Sequence, residues 1–459
     1  MKWTHRITAN LTNDRITSLQ WVIITLLDLA SAFSAFAQNP ADKSVIRVGE
    51  NIHVSRETPD RALVEQQVAA HPKNPNHLLG VSIVASTPSP WAATQDCATF
   101  VSFDGGKTWS KHAFGIHGCG DPWVTISADG TAFFIALGAG GLSVFRSADG
   151  GKRWTDTPIS LGGGHDHPTI VADATDSKFA GTVYVTSNRG QRSKEKKLRW
   201  PVVVYRSLDK GKTFQEPVYV TPSNLNLNSD NAVILSDGTL VVTFTDFQHN
   251  VDEFHGAGML ERRRSWVITS EDGGQHFSAP LFVSEASGLG FQSLAVDSSS
   301  GPFRDRLYFV CTNREQNGIY LHHSADRGEK WSDRVRVHQA QNDTMRKTPT
   351  VAVNKDGVVA VTWYERVDPT RKCWDIYFAA SLDGGQTFLP EVRVSTAGSC
   401  PENPLNAGAG QRWPAGGDYS GLVATSDGLF HVFWSDSRTG IYQLWTAQVK
   451  VDARTGTNK

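Results

Sequence analysis

Residues 102–109 read Ser-Phe-Asp-Gly-Gly-Lys-Thr-Trp, and the pattern Ser-x-Asp-x-Gly-x-x-aromatic returns five more times. The further copies are 147–154 (SADGGKRW), 207–214 (SLDKGKTF), 270–277 (SEDGGQHF), 324–331 (SADRGEKW) and 381–388 (SLDGGQTF). Each copy follows a strand-forming run. In a hairpin, Ser and Asp bind nearby backbone N–H groups, Gly takes positive φ, and the aromatic ring anchors the returning strand. Every copy therefore predicts a hairpin turn.

The spacing of the copies predicts a repeat protein. Their first residues are 102, 147, 207, 270, 324 and 381, so successive copies start 45, 60, 63, 54 and 57 residues apart. That period suits one four-stranded unit per copy. The copies resemble the Asp boxes of sialidase-type (BNR) β-propellers, and the resemblance covers residues 45–451. In that family the boxes are structural and lie on the face away from the active site.

The two ends of the repeat region fix the number of blades. After the sixth box the chain supplies three more strands, near 420–425, 430–434 and 441–449, while 45–48 (Val-Ile-Arg-Val) reads like the other fourth strands. We therefore predict an all-β propeller of seven four-stranded blades, in which this N-terminal strand completes the last blade and removes its open edge. The alternative is a propeller of six blades, as in familiar sialidases, with an irregular first repeat.

The first 37 residues are typical of an export signal. A basic start precedes an apolar run at 21–36 and the small-residue site Ala35-Phe36-Ala37. The alternative, a membrane anchor, requires a longer apolar run. We expect residues 1–37 to be a signal peptide, 38–451 a single propeller domain and 452–459 a tail, in a protein that is secreted, periplasmic or extracellular.

Composition and cysteines set further limits. A net charge of -1 gives no indication of nucleic-acid or membrane partners. Export permits disulfides, and Cys97 with Cys119 and Cys373 with Cys400 flank the first and sixth boxes in the same way. Cys311, the remaining cysteine, is expected to be a buried free thiol. We expect a monomer.

Propeller topology indicates where chemistry belongs. The loops that enter first strands and the loops that leave second strands share one face, opposite the Asp boxes, and the mouth of a ring is a common ligand site. Polar residues accumulate at both positions. The candidates are Gln66, Asp121, Asp166, Arg189, Arg314, Arg346, Tyr364, Glu365, Arg366, Arg412, Asp418, Tyr419 and Arg438.

The family resemblance implies roles for these residues. A sialidase holds the substrate carboxylate with arginines, and here Arg189, Arg314, Arg366 and Arg438 match, with Arg346 and Arg412 in reserve. Tyr419 or Tyr364 would be the nucleophile, with Glu365 or Glu315 as its partner. Asp121 and Asp166 are the acid/base candidates. For any single arginine, a structural bond to a nearby carbonyl or carboxylate is the competing interpretation.

The cluster His165-Asp166-His167 has two interpretations. Residues i and i+2 of a strand face the same side, so the two imidazoles could hold a metal. A turn capped by Asp166 before Pro168 is the favoured interpretation, and no metal or other cofactor is expected. The resemblance also admits calcium, with Asp418 or Asp436 as oxygen ligands.

Three function hypotheses result. The first is an exported sialidase-like glycoside hydrolase that removes terminal sialic or other acidic sugars, with basic runs at 192–199 and 262–264 steering the glycan. The second is a secreted propeller that binds glycan or protein without catalysis. The third is another hydrolase or lyase that uses Asp121, Asp166 and Glu365 as paired carboxylates.

Overall fold

The computed structural model describes residues 45–85, 95–192, 198–222, 226–247, 263–286, 292–313, 318–340, 344–366, 368, 370, 372–402, 406, 409 and 412–452. The predicted signal peptide and most of the predicted tail lie outside these residues. So do Arg314, Glu315 and parts of both basic runs. Within the described ranges, no helix combines the length and apolarity that a membrane crossing requires.

The chain folds almost entirely into strands. In chain order they are β1 (Ile46–Val48), β2 (Ile52–His53), β3 (Leu63–His71), β4 (Asn74–Val84), β5 (Asp96–Ser102), β6 (Ser110–Ala113), β7 (Gly120–Ile126), β8 (Ala132–Leu137), β9 (Leu142–Ser147), β10 (Ile159–Gly162), β11 (His165–Ala172), β12 (Val183–Arg189), β13 (Gln191–Arg192), β14 (Leu198–Arg199), β15 (Val202–Ser207), β16 (Val218–Tyr219), β17 (Leu227–Ile234), β18 (Leu240–Phe247), β19 (Arg263–Ser270), β20 (Leu281–Ala286), β21 (Ser293–Val296), β22 (Leu307–Asn313), β23 (Gly318–Ser324), β24 (Val335–Arg336), β25 (Met345–Val353), β26 (Val359–Arg366), β27 (Asp375–Ser381), β28 (Val392–Arg393), β29 (Gly421–Ala424), β30 (Phe430–Asp436) and β31 (Gln443–Val451).

The described strands form seven four-stranded antiparallel blades. From the inner to the outer strand they are β3-β4-β5-β6, β7-β8-β9-β10, β11-β12-β15-β16, β17-β18-β19-β20, β21-β22-β23-β24, β25-β26-β27-β28 and β29-β30-β31-β1. Each inner strand lies beside the next, and β29 contacts both β25 and β3, so the blades close into a ring. The prediction of a seven-bladed propeller is confirmed.

The N-terminal strand closes the ring as predicted. Ile46 pairs with Val451 and Val48 pairs with Val449, so β1 is the outer strand of the seventh blade. Strand β2 adds a second short pairing to β31, between Ile52 and Thr446. The outer edge of β31 is therefore covered by backbone hydrogen bonds.

All six Asp boxes share one hydrogen-bond pattern. The Ser hydroxyl donates to the Asp carboxylate and accepts from the N–H of the fifth residue, in both cases at 2.7–2.9 Å. Gly211 shows why that fifth residue is glycine. Its φ is +74°, and a Cβ there would lie 2.1 Å from Cε1 of Phe133 in the preceding blade. The boxes therefore connect neighbouring blades, as expected for structural elements.

A bulge interrupts the pairing near the start of five of the inner strands. The pairing with the second strand shifts between Val64 and Gln67, Gly120 and Trp123, Asp166 and Thr169, Ser229 and Asn231, and Lys347 and Thr350. Glu65, Asp121, His167 and Thr348 occupy four of these bulges with positive φ. Bulges of this kind re-aim side chains at the rims of sheets, often next to functional sites.

Both cysteine pairs that flank an Asp box form disulfides. Cys97 bonds Cys119, and Cys373 bonds Cys400. Each joins the beginning of a third strand, or the residues just before it, to the segment that precedes the next blade's inner strand. Cys311 is a buried free thiol, as predicted.

Candidate functional site

Four side chains from three blades meet at the mouth of the ring. Tyr419 stands before β29, Asp121 lies in the bulge of β7, and Asp166 and His167 lie in the bulge of β11. The Tyr419 hydroxyl is 2.8 Å from Nδ1 of His167 and donates to Oδ1 of Asp121 at 3.4 Å. The sequence placed Tyr419, Asp121 and Asp166 at one face, and the structure brings them together.

His167 links the two carboxylates of this site. Its backbone N–H donates to Oδ2 of Asp121 at 3.2 Å. Its Nδ1 is 3.8 Å from Asp121, and its Nε2 is 3.7 Å from Oδ2 of Asp166. The side chains of Asp121 and His167 are each 18% exposed and that of Asp166 is 29% exposed. The imidazole is therefore mostly shielded from solvent.

A second acidic group adjoins the first. Oε1 of Glu65, which is buried, accepts the backbone N–H of Asp418 at 2.9 Å. The Asp418 carboxylate in turn accepts from Nη2 of Arg412 at 3.1 Å and from the Trp413 indole at 3.3 Å. Gln66, buried beside them, donates to the backbone oxygen of Tyr419 at 3.1 Å. Tyr419 is thus held by neighbours from several blades.

Burial and crowding of carboxylates shift the pKa values of this site upward. Burial, and then the charges of Asp418 and Asp121, raise the pKa of Glu65 well above its usual value. Burial also raises the pKa of Asp121, against the opposing effect of His167. For His167, burial opposes a positive charge, but Asp166 and Asp121 outweigh it and raise its pKa. Burial and Asp121 keep Tyr419 protonated by raising its pKa well above the ordinary value.

The same residues could hold a metal ion. One ligand atom each from Asp121, Asp166 and His167 lies within 4.8 Å of the others. His165 does not take part, because its ring nitrogens face the Ser187 hydroxyl and the Leu161 carbonyl. Asp418 bonds Arg412 and Asp436 bonds Arg438, so these carboxylates already have cationic partners. Among the residues considered, Asp121, Asp166 and His167 therefore remain as the candidate metal ligands.

Two other predicted catalytic side chains are bonded within the protein. The Tyr364 hydroxyl, fully buried, donates to the Ser435 carbonyl at 3.0 Å. Glu365 accepts from both Nε and Nη2 of Arg346, from Thr344 and from the Trp363 indole. The Arg346–Glu365 pair is almost completely buried. Its geometry is that of a structural ion pair.

The predicted arginine clamp is dispersed among the described residues. Arg438 is bound to Asp436 through Nε and Nη2 and lies over the Trp445 ring. Arg189 lies opposite His165 in the β11–β12 ladder, where burial and then this guanidinium lower the pKa of His165 to about 4. Arg366, half-buried, ends β26. Arg412 lies nearest to the Tyr419 group, through its bond to Asp418.

A cavity of about 140 Å³ runs along the axis beside Tyr419. Its wall comes from the inner strands of six blades. The residues are Gln67, Val68, Trp123, Asp230, Asn231, Gln292, Ser293, Leu294, Thr348, Pro349, Thr350, Val351, Asp418, Tyr419, Ser420 and Leu422. The Trp123 ring meets the Tyr419 ring edge-to-face at 5.8 Å.

Sequence reasoning did not assign Glu65, Trp123 or the single histidine His167 to the site. One sequence pattern could have placed His167 at the site. Asp121-Pro122, His167-Pro168 and Thr348-Pro349 each place a positive-φ residue before proline at the start of an inner strand. Aligning the blades on this dipeptide brings Asp121 and His167 to the same height on the axis.

Comparisons with known proteins agree with the fold. The family model described as BNR/Asp-box repeat matches residues 100–111, which contain the first box. No match was found among curated proteins. The seven-bladed ring, the six boxes and the matched repeat together describe a β-propeller built on BNR/Asp-box repeats.

Several solved structures are similar to this chain at low sequence identity. A protein of unknown function from Dyadobacter fermentans is 13% identical, with a TM-score of 0.49 over 89% of this chain and 100% of that one. The Hadza microbial sialidase Hz136 is 17% identical, with a TM-score of 0.45 over 84% of this chain and 65% of that one. The intramolecular trans-sialidase of Ruminococcus gnavus is 13% identical, with a TM-score of 0.46 over 88% and 98%. These likenesses concern the fold alone.

Proposed function

We propose that this protein is a glycoside hydrolase whose reaction centre is the carboxylate pair Asp121 and Asp166 at the axial mouth. The observation that carries the proposal is their proximity, with ligand oxygens within 4.8 Å of each other and of His167. Retaining glycosidases hold their two carboxyl groups about 5–5.5 Å apart, whereas inverting enzymes need about 6.5–9.5 Å. The two carboxylates lie closer together than the inverting range, which favours hydrolysis with retention of configuration.

The environments of the two carboxyl groups suit different roles. Burial raises the pKa of Asp121, so Asp121 is the group suited to keep a proton and pass it to the leaving glycosidic oxygen. Asp166, the more exposed of the two, attacks the anomeric carbon as that bond breaks. Water then hydrolyses the glycosyl ester while Asp121 takes back a proton. His167 and Tyr419 orient Asp121 throughout.

A second candidate is hydrolysis of terminal sialosides, as expected from the family resemblance. The hydrogen bonds of the Tyr419 hydroxyl to His167 and Asp121 favour it. Tyr419 would then attack the anomeric carbon and give its proton to His167, while Asp121 protonates the leaving group. The substrate carboxylate would bind Arg412, and to do so it would have to replace Asp418 there. Catalysis by either route would exclude a purely binding propeller.

The test is hydrolysis of a panel of fluorogenic glycosides, neutral and sialylated, by the purified protein. The Asp166→Asn variant should lose on the order of 10³-fold in kcat/KM if Asp166 is the nucleophile, and azide should partly restore the activity. If Tyr419 is the nucleophile, Tyr419→Phe should lose that factor instead. Tyr219→Phe, at an exposed tyrosine on β16, is the matched control.

The outcomes separate the candidates. Retention of configuration in the product, followed by NMR, supports the carboxylate pair. A protein that binds glycans but hydrolyses nothing in the panel would be a non-catalytic propeller.

We further propose that residues 1–37 are removed on export and that the mature protein is a monomer comprising propeller 38–451 and tail 452–459. The mass of the exported protein tests the cleavage site.

A further inference from the structure

The axial cavity is continuous with the reaction centre. Asp418 and Tyr419 line it, and the Tyr419 hydroxyl also contacts His167 and Asp121. Its volume of about 140 Å³ is close to that of an engineered cavity of about 150 Å³ that accepts benzene. One six-membered ring is therefore the size of group that fits.

Two hydroxyls in the cavity wall indicate a polar occupant. Thr348 and Ser420 are each 2% exposed and line the cavity. Thr348 Oγ1 and Ser420 Oγ make no hydrogen bond to any described group of the protein. Buried polar atoms normally find a partner, and a group in the cavity is the partner that we infer for these two hydroxyls.

The remaining wall specifies the chemistry of that occupant. Gln67, Asn231 and Gln292 supply amides, which both donate and accept hydrogen bonds. Trp123 supplies an aromatic surface, and Asp230 and Asp418 supply carboxylates. Among the described residues that line the cavity, none is lysine or arginine. Amides, carboxylates and an indole suit a ring that carries several hydroxyl groups, whereas the Asp230 carboxylate repels an anion and Asp418 is already paired with Arg412.

We propose that the axial cavity is the subsite for one uncharged monosaccharide ring, a hexose or a pentose. This inference rests on the proposed glycoside hydrolase function and names its substrate class. A nine-carbon sialic acid is larger than this volume and would bring a carboxylate toward Asp230. The hydroxyls of a neutral sugar pair with Thr348 and Ser420.

The experiment measures binding apart from catalysis. Methyl glycosides of glucose, galactose, xylose and arabinose, and of N-acetylneuraminic acid, are titrated into the full chain by saturation-transfer NMR. Thr348→Val and Ser420→Ala each remove one unpartnered hydroxyl with little change of shape. Each should weaken binding of the preferred neutral sugar by about 2- to 10-fold, the worth of one neutral hydrogen bond. Thr99→Val is the control, because Thr99 Oγ1 on β5 is also buried and unpartnered but lies outside the cavity wall.

Each outcome is decisive. Binding of a neutral sugar that both cavity variants weaken and Thr99→Val does not supports the inference. Absence of binding by all four neutral glycosides, binding of the sialoside alone, or binding indifferent to both variants overturns it. Sugar binding without hydrolysis would overturn the proposed function and leave the subsite standing. Sialoside hydrolysis without neutral-sugar binding would overturn the subsite and leave glycoside hydrolysis as the function.

Discussion

The two faces of the ring hold carboxylates in opposite electrostatic states. On the Asp-box face, the Thr213 hydroxyl and other donors of the same turn lower the pKa of Asp209. Within the second box, the bonds from Arg153 and Ser147 outweigh the effect of burial and lower the pKa of Asp149 to about 2. On the axial face, burial and neighbouring carboxylates raise the pKa of Glu65 and Asp121.

The difference arises from where the neighbours come from. An Asp-box carboxylate is surrounded by N–H and O–H donors of its own eight-residue turn, so its charge stabilises the fold. Glu65 meets Asp418, 353 residues away in the chain, and both add negative charge to one small volume. A carboxylate that opposes folding in this way is typical of sites selected for chemistry.

The largest loss of stability is expected when the disulfides of the axial face are removed. Replacing Cys97 and Cys119 together by serine opens a link between residues 22 apart, and should lower the free energy of unfolding by about 3 kcal/mol. Urea unfolding measures it. The pair Cys373–Cys400, separated by 27 residues, should give a similar loss. A loss well below 1 kcal/mol for both pairs would show that the blades alone hold this face.

A smaller loss of stability is expected from removing an Asp-box carboxylate on the opposite face. The Asp209 carboxylate accepts four hydrogen bonds, from Ser207, Lys212 and the N–H and hydroxyl of Thr213. Asp209→Ala should lower the free energy of unfolding by about 2 kcal/mol while glycoside hydrolysis stays unchanged. Asp156→Ala, at an exposed loop position, is the stability control. Reduced hydrolysis in the folded Asp209 variant would contradict the division between the faces.

The smallest expected change is a gain in stability, from replacing Glu65. A raised folded-state pKa means that above about pH 4.3 the folded protein retains a proton on Glu65 that the unfolded chain releases. Stability contributed by Glu65 therefore falls as pH rises, until the folded pKa is passed. Glu65→Gln keeps the acceptor for the Asp418 N–H and removes this slope, so it should stabilise the protein at neutral pH by about 1 kcal/mol.

Thermal unfolding between pH 4 and pH 8 checks this prediction. The loss caused by Asp209→Ala should stay constant over this range, because a lowered pKa contributes stability that disappears only as pH falls below the unfolded value of about 3.9. Glu57→Gln, at an exposed position, provides the baseline. A Glu65→Gln variant that is less stable than wild type at pH 8 would show that the charge of Glu65 is favourable in the fold.

The sequence predicted those parts of the molecule that depend on local pattern. The boxes, the closing strand at 46–48 and both disulfides could be recognised because each repeats or mirrors another segment. The axial network could not be predicted, because the positive φ at Glu65 and His167 and the partners across blades depend on how the ring closes. One pairing was within reach: Arg438 and Asp436 are two residues apart, which favours a local ion pair over a ligand clamp.

The pairing of β1 with β31 has a consequence for assembly. The first six blades each consist of a contiguous stretch of chain, and each can form as that stretch leaves the ribosome. The seventh must wait until its last strand has been synthesised, and it then recruits a segment made some 400 residues earlier. This seam is the slowest join to make, because of the loop that it closes. Freeing this three-residue strand would leave the ring closed through its inner strands but would expose part of the outer edge of β31.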